Sequence, residues 1–404
     1  MLATYFPKPL NQLMGNWALL QAQALSRNGV HVTVVSPTSW VPRPFALTKG
    51  ARAYAECPEW HPWNGLHTFY PRWLFYQVGP ASKLNEGHPE IGLKVGWRTV
   101  RSALLELVRS IRPEVIYAHH TAVNGYLAMQ LTRCANLPFL VTDHDFGEIE
   151  SCRDYPARRR LFQEVTRESA TMIAVSKRME AEMKDQFPAA RTCTVPNGAD
   201  PLPQSALETP RSGDLQNRQI IFSCGTFYHR KGFPLLVDAF ARIAQKHSNA
   251  ELRIAGDGEE RGEVESRIAH HGLGSRVTLL GALSHAKVIQ EMVWCDAFAL
   301  VGWDEPFATV YLEALSAGKP VVCCRDGGIA DVVKNGEHGF TVPPRDIAAA
   351  AEALDHLLGN EELRKDLGRA ALSLFETSLT WDRHARRMIE LFENAVRKKP
   401  VPVQ

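Results

Sequence analysis

The sequence predicts an α/β protein of two domains, each built on a Rossmann-like parallel sheet, facing one another across a cleft. Three observations carry this prediction. Short runs of β-branched and apolar residues alternate with stretches of helical periodicity, which is the pattern of βαβ units. The alternation breaks in a polar stretch, residues 201–219, that holds Pro201, Pro203, Pro210 and Gly213, and then starts again. At 404 residues the chain also exceeds what one hydrophobic core ordinarily holds. The expected domains are residues 1–205 and 206–382, with a C-terminal helix over about 383–404 returning to the first.

Taken in order, Trp17 to Ser26 has helical spacing and Val32-Thr33-Val34-Val35 is a β-branched strand. Residues 40–95 are rich in Trp, Tyr and Pro and read as an irregular insertion over one edge, the kind of loop that sets substrate specificity. A helix over Leu104–Ile111 precedes the strand Val115–Tyr117. Phe139–Thr142 and Met172–Val175 are further strands. Beyond the linker, the strands Ile220–Phe222, Leu252–Ala255 and Val277–Leu280 alternate with helices over Phe233–Lys246 and Glu259–His270. Val321-Val322-Cys323-Cys324 is a buried strand, and the amphipathic segment Trp381–Lys398 closes the chain.

Composition narrows the function. Lys and Arg number 46 against 44 Asp and Glu, a balance that argues against non-specific nucleic-acid binding. Residues 1–205 nevertheless carry 22 Lys and Arg against 17 Asp and Glu. The run Arg153, Arg158, Arg159, Arg160 and Arg167 contributes to that excess. It reads as a solvated helix face or, more sharply, as a peripheral contact with anionic lipid. No apolar stretch is long enough to span a bilayer, and the N-terminus lacks the pattern of a signal peptide. Eight scattered cysteines show no ligand spacing and read as reduced thiols. The expected location is therefore the cytoplasm, with membrane contact at most peripheral.

The most informative stretch is Trp303 to Pro320, which contains Glu305 and Glu313. Pro306 suits a helix start, and Gly318 with Pro320 ends the helix. Glu305 is then expected at a helix mouth and Glu313 about 12 Å further along the axis. That span matches the reach from a hexose to a ribose across a diphosphate, and the helix N-terminus suits the phosphates. Dipole stabilisation alone would also explain a glutamate near a helix start. Gly225-Thr226-Phe227-Tyr228-His229-Arg230-Lys231-Gly232 follows a strand, and its two cations suit a diphosphate leaving group. Ala255-Gly256-Asp257-Gly258-Glu259 is a second glycine turn, which an ordinary strand-to-helix connection explains equally well.

In this order, Arg230-Lys231-Gly232, Ala255-Gly256-Asp257-Gly258, Gly281, the Glu305-x7-Glu313 pair and Gly318-Lys319-Pro320 resemble the C-terminal half of glycosyltransferase family 4, retaining enzymes of the GT-B fold. The N-terminal half is similar to that family too, through Pro7-Lys8-Pro9 with Gly15, Tyr117-Ala118-His119, Thr142-Asp143-His144-Asp145, Ala174-Val175-Ser176 and Pro196-Asn197-Gly198-Ala199-Asp200. The resemblance implies a hexosyltransferase moving a hexose or N-acetylhexosamine from a UDP- or GDP-linked sugar to a glycan or lipid-linked acceptor, as in polysaccharide biosynthesis. Glu305 would meet donor-sugar hydroxyls and Glu313 the ribose. Lys231 would sit on the diphosphate, with Arg230 beside it and N–H groups from Phe307, Ala308, Thr309 and Val310 close by. Gly225 and Thr226 would form the phosphate turn, and Gly281 and Leu283 would border the base. Gly15, His119 and His144 would belong to the acceptor side, with His119 at the reaction centre. The leaving phosphate would take the acceptor's proton.

No cofactor and no metal are expected, because cations and a helix end already serve the diphosphate; Asp143-His144-Asp145 has the form of a DxD metal motif but is not expected to act as one. Two departures from the family pattern stand out. Thr226 occupies a position where Arg is usual, and Ala308 one where Gly is common. The chain also begins inside what the pattern makes the first strand, so that strand is short or the start lies upstream. An epimerase of the same fold and a catalytically inactive nucleotide-sugar-binding protein are the alternatives. A dehydrogenase is disfavoured, because no strand is followed by G-x-G-x-x-G.

Overall fold

A computed structural model describes residues 1–12, 14–76, 85 and 87–398, and the chain forms two compact units. One comprises Met1–Pro196 together with the segment from Trp381, the other Asn197–Thr380.

The first unit is built on one main sheet. Its strands are β1 (Thr33–Val35), β3 (Trp60–Trp63), β4 (Leu66–Phe69), β6 (Ile116–His119), β7 (Phe139–Asp143), β8 (Thr171–Ala174) and β9 (Thr192–Thr194), while β2 (Thr38–Ser39) and β5 (Arg72–Trp73) pair with each other as a separate two-stranded sheet. β6 to β9 pair in sequence order, all parallel. Residues 1–3 lie between β6 and β1: Leu2 N–H donates to Tyr117 O at 2.7 Å, and Ala3 N–H to Val35 O at 3.0 Å. The spatial order is thus β3-β4-β1, the N-terminal residues, then β6 to β9. The order reverses at the N-terminal residues, where an open α/β sheet leaves its binding crevice.

The insertion expected to be irregular is more ordered than the composition implies, although residues 77–84 and 86 of it lie outside the described residues. β3 and β4 form an antiparallel hairpin. Its turn is Asn64-Gly65, both at positive φ as a tight two-residue hairpin needs. β4 then adds to β1 in parallel. Composition missed this because edge strands of Trp, His and Pro lack the β-branched runs that mark central ones. The helix expected over Leu104–Ile111 begins far earlier, at Pro89.

The C-terminal helix, Trp381–Arg397, packs on the first unit: Trp381, Ala385, Met388, Phe392 and Ala395 share a core with Leu25, Tyr117, Leu140 and Ile173. Residues 399–404 of the expected 383–404 element lie outside the described residues.

The second unit has six parallel strands: β10 (Gln219–Cys224), β11 (Ala250–Ala255), β12 (Val277–Gly281), β13 (Ala297–Leu300), β14 (Val321–Cys324) and β15 (Gly339–Val342). Their order is β12-β11-β10-β13-β14-β15. Strands covered on both faces read as continuous apolar runs, and Ile220–Phe222, Ala297–Leu300 and Val321–Cys323 are fully buried. The reversal lies between β10 and β13, so the loops after those two strands flank the crevice.

Candidate active site

The loops after β10 and β13 bring together the residues that the sequence singled out. Gly232 sits at φ +69, which turns the chain back after the short 3₁₀ segment His229–Lys231. That turn lies directly on the loop after β13. A Cβ on Gly302 would stand 2.7 Å from Arg230 O, and Trp303 N–H donates to Arg230 O at 2.9 Å. Two loops far apart in sequence are thereby held backbone to backbone. Gly256 does the same for the loop after the neighbouring strand β11, where a Cβ would come within 1.9 Å of Gly225 O.

This packing delivers Lys231 to Glu305. Lys231 Nζ donates to Glu305 Oε2 at 2.8 Å, and Arg230 Nε lies 3.5 Å from Oε1. Glu305 is only 4 % exposed, and its Oε1 has no hydrogen-bond partner. Gly328 N–H holds the Glu305 carbonyl at 2.9 Å, which fixes the residue from the β14 side. The cations expected at the mouth of the sheet are therefore already paired with the carboxylate expected to meet the sugar. Trp303 supports the cluster from beneath: Arg345 stacks 4.7 Å over its ring and His229 meets it edge-on at 5.1 Å.

The helix is shorter than expected. It spans Val310–Ser316, and Pro306 lies in the preceding loop. Glu305 is thus five residues ahead of the helix and not at its mouth, while Glu313 is in the first turn. The axial distance of about 12 Å inferred from one continuous helix does not apply. Pro306 is compatible with a helix start without requiring one, and the chain instead uses Phe307, 5 % exposed, to fill the core before turning. Phe307, Ala308, Thr309 and Val310 form this approach. Tyr311 N–H is bonded to Ala308 O, whereas the N–H groups of Thr309 and Val310 precede any intrahelical acceptor. Tyr311 OH bonds to Leu300 O and so ties the helix to the end of β13.

Glu313 has a partner that sequence reasoning missed. His285 Nε2 lies 3.0 Å from Glu313 Oε1, and this hydrogen bond raises the His285 pKa. His285 opens the helix after Gly281 and Leu283, so the expected base-side loop and the expected ribose carboxylate meet here. Only the strand order β12-β11-β10-β13 brings them close. Thr226 is exposed beside Gly225, and its own backbone carbonyl accepts from Tyr228 N–H.

In the first unit, Gly15 has φ +66, and a Cβ there would stand 2.2 Å from Tyr5 O. Its glycine is thus required by the chain's own close approach ahead of the helix Asn16–Arg27. His119 ends β6, fully buried, with Nδ1 2.9 Å from His144 Nε2 and its own Nε2 unpartnered. Burial holds both imidazoles well below the usual histidine range, so they are neutral. Trp17 packs on the pair, 4.0 Å from His144 and 4.9 Å from His119 between ring centroids. No sequence pattern flagged Trp17; it faces the histidines only because the first helix crosses β6 and β7.

The DxD form does not converge. Asp145 caps the helix Phe146–Asp154 by accepting from Gly147 N–H at 2.8 Å, while Asp143 is buried and accepts from Thr121 N–H and Oγ1. Asp143 instead groups with His120 and Glu148, whose ligand atoms and its own all lie within 4.8 Å of one another. Burial and the neighbouring Glu148 push the Asp143 carboxyl up to about 7. Three members of the Arg-rich run are tied down as well: Arg153 pairs with Glu182, Arg158 with Ser151 and Arg159 with Gln186 O, while Arg160 and Arg167 stay exposed.

Comparison with known proteins agrees with this layout. The family pattern described as "Glycosyltransferase Family 4" matches residues 14–201, and that described as "Glycosyl transferases group 1" matches residues 207–373. A glycogen synthase of Mycobacterium tuberculosis is 27 % identical over 322 residues, 77 % of either chain. An uncharacterised glycosyltransferase of Methanocaldococcus jannaschii is 25 % identical across 93 % of this chain and 92 % of its own. A solved sucrose-phosphate synthase from Thermosynechococcus elongatus shares the fold with a TM-score of 0.72 at 21 % identity, covering 94 % of this chain and 92 % of that one.

Proposed function

The chain belongs to the group 1 (family 4) glycosyltransferases of the GT-B fold and is a hexosyltransferase, and we propose that it transfers a hexose or N-acetylhexosamine with retention, from a UDP- or GDP-linked donor to a glycan or lipid-linked acceptor, without a metal. The observation that carries this reading is the buried Glu305 carboxylate, paired through one oxygen with Lys231 and unpartnered at the other. A buried acceptor left without a donor costs about 1–3 kcal/mol. A donor-sugar hydroxyl would recover that cost.

The same pairing accounts for how a diphosphate would be received. Lys231 and Arg230 are held in place before the donor arrives, so little reorganisation is needed when negative charge develops on the leaving group. The diphosphate then draws on Lys231 while the sugar hydroxyls donate to Glu305. Arg230, 40 % exposed at its side chain, is positioned to supply some of the charge that Arg gives at the Thr226 position in the family. On the acceptor side, neutral His119 with a free Nε2 offers one hydrogen-bonding site to an incoming hydroxyl. In this reading the proton of that hydroxyl passes to the leaving phosphate, as the family resemblance implies.

The test is a panel of UDP-, GDP-, ADP- and dTDP-sugars, read by thermal stabilisation and then by nucleotide release with and without EDTA. One nucleotide-sugar should stabilise the protein and be slowly hydrolysed at the same rate in EDTA. No stabilisation by any member would overturn the donor assignment. Loss of release in EDTA, restored by Mg²⁺ or Mn²⁺, would overturn metal independence and point to His120, Asp143 and Glu148.

A further inference from the structure

The aromatic insertion takes no part in the donor chemistry, yet it presents the most exposed apolar side chains among the described residues. Phe45 is 74 % exposed and Leu47 79 %, and Trp40 is half exposed. Hydrogen bonds connect this segment to a wider face. Trp40 N–H donates to Trp73 O at 3.0 Å, Tyr76 OH to Trp40 O at 2.8 Å, and Leu74 N–H to Thr99 Oγ1 at 3.1 Å. Thr99 lies on the helix Pro89–Ile111, one turn beyond Val95 and two beyond Ile91, which are exposed on that side. Exposed apolar side chains gathered in this way mark an interaction surface.

Its charge is one-sided. Residues 36–55 contain Arg43, Lys49 and Arg52 and no acidic residue. The helix adds exposed Lys94, Arg98 and Arg101. Arg52 is spent on Ala46 O, but Arg43, Lys49, Lys94, Arg98 and Arg101 have no carboxylate partner among the described residues. The projecting tip is also stiff. Pro42 and Pro44 fix its φ angles, Phe45 N–H bonds to Pro42 O at 2.9 Å, and Thr48 caps the helix Lys49–Ala55. Inserting a preorganised tip costs little ordering entropy. The segment leaves the sheet beyond the C-terminal ends of β1 and β4, the end at which His119 also emerges from β6.

We propose that this surface docks on an anionic lipid bilayer, with Phe45 and Leu47 entering the interface, Trp40 at its boundary, and Arg43, Lys49 and the cations of the helix at headgroup level. Exposed apolar side chains flanked by cations that have no carboxylate partner among the described residues, with Glu56 and Glu90 at the margin, match the interfacial and electrostatic layers of such a membrane. This goes beyond the transfer reaction and does not depend on it.

The experiment sediments the full chain with vesicles of equal phosphatidylglycerol and phosphatidylcholine, and with phosphatidylcholine alone, at low and high salt. Binding should require the anionic lipid and weaken with salt. Phe45→Ser with Leu47→Ser should reduce partitioning by at least about tenfold, and Arg43→Gln or Lys49→Gln by about fivefold each. Stabilisation by the nucleotide-sugar panel should be the same in these variants as in the unaltered protein, which keeps failure of the docking distinct from failure of the donor site. Three results would overturn the proposal: no sedimentation with anionic vesicles at low salt, unchanged sedimentation of the Phe45/Leu47 variant, or a dimer in solution that this variant dissociates, which would assign the surface to a second copy.

Discussion

Replacing Lys231 by Met removes the cation that neutralises Glu305 while keeping most of the apolar stem. The carboxylate would remain in place, 4 % exposed, with Oε1 already unpartnered and only Arg230, at 3.5 Å, left nearby. Breaking a buried ion pair from one side costs about 3–5 kcal/mol, because the stranded charge keeps its desolvation penalty. Arg230 is partly exposed and already in range, so the lower end applies, about 3 kcal/mol. For a domain of this size each kcal/mol lowers the melting temperature by about 2–4 °C, giving a drop of about 6–12 °C in the transition of the second unit. Adding Glu305→Gln removes the stranded charge and should restore most of the loss, although the double variant would be inactive. Differential scanning calorimetry of the four proteins of this cycle measures the coupling. If Lys231→Met melts with the unaltered protein, or the double variant melts as low as the single one, Glu305 does not depend on Lys231 and the account of a preformed charge cluster fails.

Other predictions bear on separate regions of the site. Glu305→Ala should lower turnover by at least about a hundredfold while changing nucleotide affinity little, since in the proposed reading it meets the sugar and not the nucleotide; equal turnover in an activity assay would remove that role. The hydrogen bond to Glu313 raises the His285 pKa, so His285 stays protonated on Glu313 below its raised pKa and lets go as pH rises through it. Nucleotide binding measured by calorimetry should therefore strengthen as pH rises through that raised pKa, above the ordinary histidine range, and His285→Gln should flatten that dependence; a flat profile in the unaltered protein would dissociate His285 from the ribose site. Gly256→Ala should push the Gly225 turn away from β11 at a cost of about 3 kcal/mol and weaken nucleotide binding together with stability. If stability falls and nucleotide affinity does not, the Gly225 turn lies outside the phosphate site.

The central strands were legible in the sequence because a parallel strand covered on both faces must be apolar throughout. Val321 to Cys324 and Ile220 to Phe222 admit no other reading once Gly and Pro punctuate their ends. β13 is equally apolar but lies between two helical segments without a glycine or proline at its start, and it passed unnoticed. The same limit applies to the helix near Glu305. Pro306 permits a helix start, but whether one forms depends on where Phe307 is buried, which sequence spacing does not encode. The two-residue spacing of Asp143 and Asp145 has the form of a metal motif. In the fold Asp143 points into the protein and Asp145 caps a helix, because the strand ends between them.

By itself, the sequence determined the class of fold, the two-domain plan and the chemistry to look for: paired glutamates, adjacent cations and glycine turns, each a local pattern whose residue types restrict the backbone or carry charge. Only the tertiary structure decided which of these meet. Strand order places β10 beside β13, so Lys231 reaches Glu305 across 74 residues of sequence, and His285 reaches Glu313 from the start of the helix after β12. It also decided which charges are spent and which remain available, tying down Arg153, Arg158 and Arg159 of the Arg-rich run while leaving Arg43 and Lys49 exposed near Phe45 and Leu47. Local propensity is set by neighbours in the chain, whereas pairing and burial are set by residues that only folding brings near.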